Sequence, residues 1–354
     1  MVGIPVRVCV NGYGTIGKRI ADALVKTGDF KVVGVSKYSF DYSALIARKK
    51  GFRVFVPRDR IDEFRKHGFE PDGTIEDMID EAELIYDASP GKQGVKNKEF
   101  YVKHGKPAIF QGGEPPEVGE VSYSTLCNYS AALGKKYVRV VSCNTTGILR
   151  ILCSLGVKPR SVFATIVRRA SDPREDTRGP VASILLDSHR IPSHHAGDVK
   201  TVIGDIPITT ASVVVPTTLM HVQVLRIELS GEKTMDDLLS SMEESGRILF
   251  LNPESMGLDT TGKLVELARD AGRYRYDLYE NIVFSSTLKL DRDVLMLIQA
   301  IHQESIVIPE NIDAAYAVLN LEIDPFKVVE KTNRALGIGL VKDLITGVKY
   351  GRPR

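Results

Sequence analysis

The sequence shows few of the features by which membrane, secreted and nucleic-acid-binding proteins are recognised. No apolar run approaches the ~20 residues that cross a bilayer, and the first ten residues enter a strand-like run without signal-peptide anatomy. Lys plus Arg number 47 against 45 for Asp plus Glu, a formal charge of +2. A dedicated nucleic-acid binder needs a clear basic excess. We therefore expect a cytoplasmic protein with no membrane and no nucleic-acid partner.

Cysteine is also scarce. The four residues, Cys9, Cys127, Cys143 and Cys153, lack the paired CxxC spacing of a zinc site and are too few for a disulfide scaffold. Reduced thiols are expected in a cytosol, although a thermophilic source would permit a Cys127–Cys153 disulfide. Those two readings stay open, whereas Cys9 lies inside an apolar strand and is predicted to fill the core.

The chain, at 354 residues, is longer than one hydrophobic core usually serves. Its predicted strands are Val6–Val10, Lys31–Val35, Leu84–Asp87, Tyr137–Val141, Ser161–Arg168, Ile206–Val215, Leu219–Leu229, Ile282–Leu288 and Val294–Ile301. Short strands alternating with helices indicate a parallel sheet, whereas the later, longer runs favour an antiparallel one. We predict an α/β protein with an N-terminal Rossmann dinucleotide-binding domain, 1–141 with 304–354. An α+β catalytic domain with a mostly antiparallel sheet covers 142–303.

A glycine-rich turn follows the first predicted strand. Gly12, Gly14 and Gly17 form a GxGxxG pattern between that strand and a predicted helix, which is the context the dinucleotide fingerprint requires. Glycines permit the tight turn and the close approach of a pyrophosphate. The helix N-terminus, with Thr15 and Ile16, offers N–H groups to the phosphates. These five residues are predicted to bind a dinucleotide; a plain strand-to-helix turn is the alternative.

The end of the second strand bears on which dinucleotide is bound. An NAD-preferring site usually has an acidic residue there, but this strand ends Ser36-Lys37-Tyr38 without a carboxylate. Lys37 is expected to attract a 2′-phosphate, so we predict that NADP is accepted, with NAD as a second cofactor. The alternative is that Lys37 is an ordinary surface lysine.

Cys143 lies in a polar turn, Ser142-Cys143-Asn144-Thr145-Thr146-Gly147, between a predicted strand and a predicted helix. The helix N-terminus is expected to favour the thiolate and to lower the thiol pKa from ~8.5. A thiolate attacks an aldehyde to give a hemithioacetal, and loss of hydride leaves a thioester. The side chains of Asn144, Thr145 and Thr146 are candidate donors to the substrate or its oxyanion, and Ser142 is also predicted to bind the substrate.

The chain resembles archaeal (type II) phosphorylating glyceraldehyde-3-phosphate dehydrogenases along almost its whole length. The resemblance rests on Asn11–Gly17, Phe110–Glu114, Ser142–Gly147, Ser193–His195, Pro216–His221 and His302–Ser305, in family order. It implies conversion of glyceraldehyde 3-phosphate, phosphate and NAD(P)+ into 1,3-bisphosphoglycerate, in glycolysis or gluconeogenesis, by a homotetramer.

The resemblance also implies roles for single residues. It places Gly113, Arg169 and Gln303 beside the cofactor and His194 and His195 at the substrate. Arg168, on the opposite face of its strand from Arg169, is left as a structural ion-pair partner. No metal is expected, because no carboxylate or cysteine with ligand spacing is seen near the histidine pair.

The catalytic histidine has to come from far along the sequence, since no histidine lies between Cys143 and His189. A general base should stand on a rigid element near the nucleophile. His221 opens a predicted strand, and the resemblance assigns the base to this position. The alternative is a half-buried structural histidine.

Two other functions stay open. A related thiolate-based reductase, such as an aspartate-semialdehyde dehydrogenase, would need a carboxylate clamp in place of two phosphate sites. A binding protein that uses the Rossmann domain without catalysis would not need Cys143 and His221.

Overall fold

The structure, a computed structural model, describes residues 4–171, 179 and 182–345. The described chain forms two compact units, 4–141 with Ile308–Leu336 and 142–307 with 337–345. The sequence-based division gave all of 304–354 to the first domain, whereas by packing residues 304–307 and 337–345 belong to the second unit. No helix within the described ranges is long and apolar enough to span a membrane.

The first unit is built on a parallel sheet. Its strands are β1 (Val6–Asn11), β2 (Phe30–Ser36), β3 (Val54–Val56), β4 (Gly73–Thr74), β5 (Leu84–Asp87), β6 (Ala108–Phe110), β7 (Val121–Tyr123) and β8 (Tyr137–Val140). They are ordered β4-β3-β2-β1-β5-β6-β8-β7, and every pairing is parallel. Because β2 and β5 lie on opposite sides of β1, the chain changes direction across the sheet there, and such switch points open a binding crevice at the carboxyl ends.

Helices connect these strands, as parallel pairing requires. They are α1 (Thr15–Thr27), α2 (Tyr42–Lys49), α3 (Ile61–Lys66), α4 (Ile75–Glu81), α5 (Gln93–Lys103), α6 (Thr125–Asn128), α12 (Ile308–Val318) and α13 (Pro325–Leu336). Helix α1 buries Ile20 and Leu24 on one face and ends at Gly28, which adopts the left-handed conformation typical of a helix C-terminus. The predicted Rossmann-like sheet is confirmed.

The second unit contains a mixed sheet. Its strands are β9 (Pro159–Arg169), β10 (Leu185–Leu186), β11 (Ile208–Val215), β12 (His221–Leu229), β13 (Ile248–Leu251), β14 (Asn281–Phe284), β15 (Lys289–Asp291) and β16 (Val294–Ile301). The order is β10-β11-β9-β12-β16-β14-β13, with β15 on β16. Two described pairings, β11/β9 and β13/β14, are parallel and five are antiparallel, as predicted.

The helices of this unit are α7 (Cys143–Cys153), α8 (His194–Ile203), α9 (Met235–Glu244), α10 (Pro253–Met256), α11 (Thr261–Asp270) and α14 (Leu340–Ile345). One predicted strand, Ile282–Leu288, ends early, at Phe284. The Thr287 hydroxyl donates to the Phe284 carbonyl and accepts the Ile298 N–H. Such local side-chain bonds compete with the strand ladder, and the segment turns instead of continuing.

Candidate active site

The glycine-rich loop after β1 has the geometry that an anionic ligand needs. Gly12 has φ +107°, and a Cβ there would lie 2.6 Å from the Ala88 carbonyl oxygen. A Cβ on Gly17 would lie 1.9 Å from the Gly12 oxygen. The N-cap of α1, Gly14, has no side chain to cap the first-turn N–H groups, which are therefore suited to bind phosphate.

Asn11 holds this loop to the ends of neighbouring strands. Its Nδ2 donates to the Tyr101 hydroxyl at 2.6 Å, and its Oδ1 accepts from the Ser36 hydroxyl at 2.6 Å. Ser36 Oγ accepts the Gly12 N–H at 2.8 Å, and Tyr101 donates to Asp87 at 2.7 Å. The chain of bonds joins β1, β2 and β5 and fixes the loop before any ligand binds.

Lys37 lies directly after β2 but is not a free surface lysine. It is 8% exposed, and its Nζ contacts Asp41 Oδ2 at 2.8 Å and Ser43 Oγ at 2.9 Å. Hydrogen bonds from Lys37 and Ser43 outweigh burial and hold the pKa of Asp41 below its usual range. The end of β2 carries no carboxylate, as the sequence indicates, but Asp41, the N-cap of α2, brings one to the side chain of Lys37.

Gly113 follows β6, two strands from β1 in the same sheet. A Cβ on Gly91, in the turn after β5, would lie 3.4 Å from the Gly113 oxygen. The next residue, Glu114, accepts the N–H groups of Gly94 and Val95 at the start of α5. Gly12, Lys37 and Gly113 thus follow the carboxyl ends of three parallel strands, where a dinucleotide binds in such sheets.

Cys143 is the first residue of α7, after the N-cap Ser142, and is a partly exposed free thiol. Desolvation raises the pKa of this thiol to about 11, and the charges of Arg168 and Arg169 with the Asn144 N–H offset only part of that rise. The predicted placement is found, but the predicted lowering of the pKa is wrong. The reason is that burial disfavours the anion more than its positive surroundings favour it.

The polar turn at Cys143 is bound to helix α8. Thr145 donates its hydroxyl proton to Asp198 Oδ2 at 2.6 Å, and Ser142 Oγ lies 3.4 Å from the same oxygen. Thr145 is fully buried. Because a hydroxyl has one proton, Thr145 in this conformation positions the turn and has no proton to offer a substrate.

A ladder of buried carboxamides supports the same turn from the sheet. Gln223 Nε2 donates to the backbone and side-chain oxygens of Asn144, both at 3.0 Å. Gln299 Nε2 donates to Gln223 Oε1 at 2.7 Å and to the Gly147 oxygen at 3.0 Å. Asn281 Nδ2 donates to Gln299 Oε1 and to the Gly147 oxygen, both at 2.8 Å. This amide ladder (Gln223, Gln299, Asn281) fixes the start of α7.

His221 is the first residue of β12 and is fully buried. Its Nδ1 accepts the Arg169 backbone N–H at 2.9 Å, and its Nε2 has no partner within the described ranges. Burial, followed by the charges of Arg169 and Arg168, holds the pKa of His221 well below its ordinary value. The ring is therefore neutral near pH 7.

The two arginines at the end of β9 have different surroundings. The Arg169 side chain is 1% exposed and binds Gln303 Oε1, Glu304 Oε1 at 2.9 Å and the Ser171 carbonyl at 2.7 Å. Arg168 pairs with Asp187, as an ion-pair partner should, and its Nε is buried with no partner among the described residues.

Both arginines lie near His221, because the Arg169 N–H binds its Nδ1 and the charges of Arg169 and Arg168 both lower its pKa. Val222 lies opposite Val167 in the β12/β9 pair, so His221 lies opposite Arg168 one residue further along. Side chains opposite one another share a face. Gln223 lies on that face as well, and its bonds to Asn144 join the face to the start of α7.

His194 and His195 occupy the first turn of α8; His194 is exposed and His195 is buried. Burial, with the neighbouring His194 and Arg168, lowers the pKa of His195 to about 4. The expectation that no carboxylate lies near the pair was wrong, because candidate ligand atoms of Asp187, His194 and His195 lie within 4.8 Å of one another. Arg168 and the positive end of α8 oppose a cation there and favour an anion.

Comparison with known proteins places this site in a family. Residues 142–266 match the family model described as glyceraldehyde 3-phosphate dehydrogenase, C-terminal domain. The glyceraldehyde-3-phosphate dehydrogenase of Hyperthermus butylicus is 50% identical over 335 residues, 94% of this chain and 97% of that protein. That of Methanopyrus kandleri is 48% identical over 342 residues, 94% and 97% of the two chains. That of Sulfolobus acidocaldarius is 46% identical over 338 residues, 95% and 98%.

The chain belongs to the glyceraldehyde-3-phosphate dehydrogenase family.

In this dehydrogenase the second unit collects residues far apart in the sequence. The charge of Arg168 contributes to the pKa shifts of Cys143, His195 and His221, so these three residues lie near the same guanidinium. His189, by contrast, lies on an exposed segment of the same unit, and His67 is exposed in the first unit.

Several residues that position the predicted site residues of the two units carried little or no signal in the sequence. They are Asp41, Asp187, Asp198, Gln223, Gln299 and Glu304. None belongs to a chemical motif of its own, and their partners lie up to 152 residues away. The one available cue was Glu304, which falls within the His302–Ser305 segment of the family resemblance.

Proposed function

We propose that this chain catalyses the phosphorylating oxidation of glyceraldehyde 3-phosphate to 1,3-bisphosphoglycerate with NAD(P)+. The proposal rests on the position of Cys143 at the start of α7. Arg168 and the fully buried His221 belong to the same unit. Family membership supports the substrate. The anion-favouring first turn of α8, beside Arg168, suits a substrate phosphate.

The proposed cofactor residues lie at the ends of strands in the first unit and, in the second unit, at Arg169 and its partner Gln303. They are Gly12, Gly14, Thr15, Ile16, Gly17, Lys37, Gly113, Arg169 and Gln303. The uncapped first turn of α1 and the space kept by Gly12 fit a pyrophosphate. Gln303 has its oxygen held by Arg169, which leaves the amide N–H groups as donors to a carboxamide. When bound, the oxidised nicotinamide supplies the hydride acceptor.

The proposed substrate residues are Ser142, Asn144, Thr145, His194 and His195. Thr145 acts through Asp198, by fixing the turn, and not through direct contact. Neutral His195 and exposed His194 offer ring N–H groups to the phosphate. Cys143 gives its thiol proton to solvent and its sulfur attacks the aldehyde carbon. Loss of hydride to the oxidised nicotinamide would then leave a thioester on Cys143. Inorganic phosphate later displaces the thioester and frees the sulfur.

The phosphorylating step is tested by following reduced-nicotinamide formation from glyceraldehyde 3-phosphate with and without inorganic phosphate. Steady turnover that needs phosphate is expected, because phosphate resolves the thioester. Cys143→Ser, which removes the thiol and keeps the size of the side chain, is the control and should abolish turnover. Equal turnover without phosphate would mean that water resolves the thioester and would contradict the proposal.

We propose that both NADP and NAD are accepted. Lys37 carries the positive charge that a 2′-phosphate needs, but Asp41 neutralises part of it, so neither cofactor is strongly excluded. Asp41→Asn should raise the kcat/KM ratio of NADP over NAD, because it frees the lysine charge. Lys37→Ala should lower the same ratio. A ratio unmoved by both changes would remove Lys37 from the cofactor site.

Aspartate-semialdehyde dehydrogenase activity is the second candidate. Such a substrate carries a carboxylate in place of the substrate phosphate, and an arginine fork is the usual clamp for it. The guanidinium of Arg169 already binds Glu304 and Gln303 and is therefore a poor clamp for a substrate carboxylate, which favours the first candidate. We also propose that the chain forms a homotetramer in the cytoplasm. Analytical sedimentation of the purified protein tests its oligomeric state.

A further inference from the structure

The amide ladder beneath α7 has a fixed polarity, which backbone carbonyls set. A backbone oxygen only accepts hydrogen bonds, so the end of a carboxamide that faces one is its NH2 end. Gln223 faces the backbone oxygen of Asn144 in this way, at 3.0 Å. Gln299 and Asn281 both face the backbone oxygen of Gly147, at 3.0 Å and 2.8 Å. The backbone of α7 therefore determines the orientation of all three amides.

The remaining hydrogen bonds of the ladder all run in one direction. Arg150 Nη1, which can only donate, lies 3.5 Å from Asn281 Oδ1. Asn281 Nδ2 donates to Gln299 Oε1 at 2.8 Å, and Gln299 Nε2 donates to Gln223 Oε1 at 2.7 Å. The last bond runs from Gln223 Nε2 to Asn144 Oδ1 at 3.0 Å. Each NH2 group of the ladder thus uses both of its protons, and the polarity passes on to the side chain of Asn144.

This polarity decides which end of the Asn144 side chain is left for another partner. Gln223 occupies its Oδ1, so the free end is Nδ2. Within the described ranges Nδ2 has no hydrogen bond, and it is not among the atoms sealed inside the protein without one. It therefore borders open space, although Asn144 as a whole is 2% exposed. Asn144 follows the nucleophile Cys143 in the first turn of α7, so an N–H donor stands in the turn that carries the sulfur.

Resting on the proposed function, we propose that Asn144 Nδ2 donates a hydrogen bond to the substrate oxygen on the carbon that Cys143 attacks. Gln223 is then the positioning residue that turns this N–H outward. An amide NH2 group only donates, so its partner has to be an atom with lone pairs. When the Cys143 sulfur bonds to the aldehyde carbon, the carbonyl π pair moves to that oxygen. A donor held in place beforehand stabilises the charge that develops there.

Burial of the ladder keeps the donor from turning. A half turn of the Asn144 amide alone would set its NH2 group against that of Gln223. A half turn of both amides would set the Gln223 oxygen against the backbone oxygen of Asn144. Gln223, Gln299 and Asn281 are fully buried, so water cannot satisfy the groups that either change would leave unpaired. The outward N–H is therefore the stable arrangement before any substrate binds.

Two reagents for the Cys143 thiol separate a lost donor from a disturbed thiol. In p-nitrophenyl acetate the sulfur bonds to the carbonyl carbon, the π pair moves to oxygen, and its return expels p-nitrophenolate. In iodoacetamide the sulfur bonds to the CH2 carbon and iodide leaves, so no oxygen becomes negative. Asn144→Leu keeps the size of the side chain without the amide. In this variant of the full chain, acetylation should slow about 100-fold, whereas alkylation should change little. Cys143→Ser gives the background of each reaction.

Two substitutions of Gln223 test what turns the N–H outward. Gln223→Glu has no NH2 group, so its carboxyl oxygens accept from Asn144 Nδ2 and draw that group inward. Gln223→Met breaks the same bonds but lets the Asn144 amide turn either way. The ratio of the acetylation rate to the alkylation rate should fall about 100-fold in the Glu variant and less in the Met variant. A ladder that only supports α7 predicts that both reactions slow alike in both variants.

An unchanged ratio in Asn144→Leu would overturn the proposal, as would a ratio in Gln223→Glu no lower than in Gln223→Met. Asn144→Leu leaves the three ladder residues in place, so it tests the donor even where a ladder variant does not fold. Neither reagent requires glyceraldehyde 3-phosphate or a nicotinamide. If the parent enzyme did not oxidise glyceraldehyde 3-phosphate at all, the proposed function would fail, while the ratio would still be measured.

Discussion

The amide ladder beneath Cys143 can be broken by one substitution that keeps side-chain length. Gln299→Met removes an amide that donates to the Gly147 oxygen at 3.0 Å and to Gln223 Oε1 at 2.7 Å, and accepts from Asn281 at 2.8 Å. Gln223, Gln299 and Asn281 are all fully buried, so water cannot replace what is lost.

The size of the effect follows from which groups lose their partners. Gln223 Oε1 and one N–H of Asn281 are left unsatisfied, whereas the Gly147 oxygen keeps its bond from Asn281. Each unsatisfied buried group costs about 1–3 kcal/mol. The free energy of unfolding of the second unit should therefore fall by about 2–6 kcal/mol. Hydride transfer should also slow, because Gln223 no longer holds Asn144, the neighbour of Cys143, in place.

Urea unfolding followed by circular dichroism and tyrosine fluorescence measures this change; the chain has no tryptophan to interfere. The matched control is Gln93→Met, at the exposed start of α5, which should stay within about 0.5 kcal/mol of the parent. If Gln299→Met also unfolded within that margin, the ladder would not support α7 as argued.

Three further outcomes follow from the structure. Burial holds the pKa of His195 at about 4 in the folded chain. Between pH 6.5, the ordinary histidine pKa, and pH 4, the unfolded chain therefore binds a proton at His195 that the folded chain does not. Stability is then full above pH 6.5 and falls by about 3 kcal/mol towards pH 4; His195→Gln should lose less in urea titrations at pH 7.5 and 4.5. With a thiol pKa of about 11, the alkylation rate of Cys143 should rise about tenfold per pH unit from 7 to 10, and a plateau below pH 9 would show a more acidic thiol. Gly12→Ala, with a Cβ 2.6 Å from a carbonyl oxygen, should abolish cofactor binding in fluorescence titrations, whereas Gly197→Ala, which meets open space, should not; equal affinities would refute the close approach.

Local patterns predicted the elements that depend on neighbours in the chain. The alternation of Val6–Val10 and the glycines after it predict a strand, a tight turn and a helix start, and β1 and α1 follow them. Cys143 at the start of α7 was likewise visible, because a polar turn before helical spacing marks a helix N-terminus. Met220, with φ +57°, explains why the predicted strand from Leu219 begins at His221 instead.

Contacts between distant segments were beyond such patterns. Even Asp41 and Lys37, four residues apart, lie between β2 and α2, where no regular spacing predicts that their side chains meet. Asp198 reaches Thr145 across 53 residues. The direction of the Cys143 pKa also depends on how much protein surrounds the sulfur, which the turn alone does not reveal.

The amino-acid sequence was enough to predict the parallel and the mostly antiparallel sheet, the glycine-rich loop, the nucleophile Cys143 and the family. All of these depend on residue spacing along the chain. The pairing of β9 with β12 in the tertiary structure brings both arginines at the end of β9 close to His221. It also sets the Arg169 backbone N–H against His221 Nδ1. Both depend on hydrogen bonds between strands about 50 residues apart, and spacing along one strand carries no record of them.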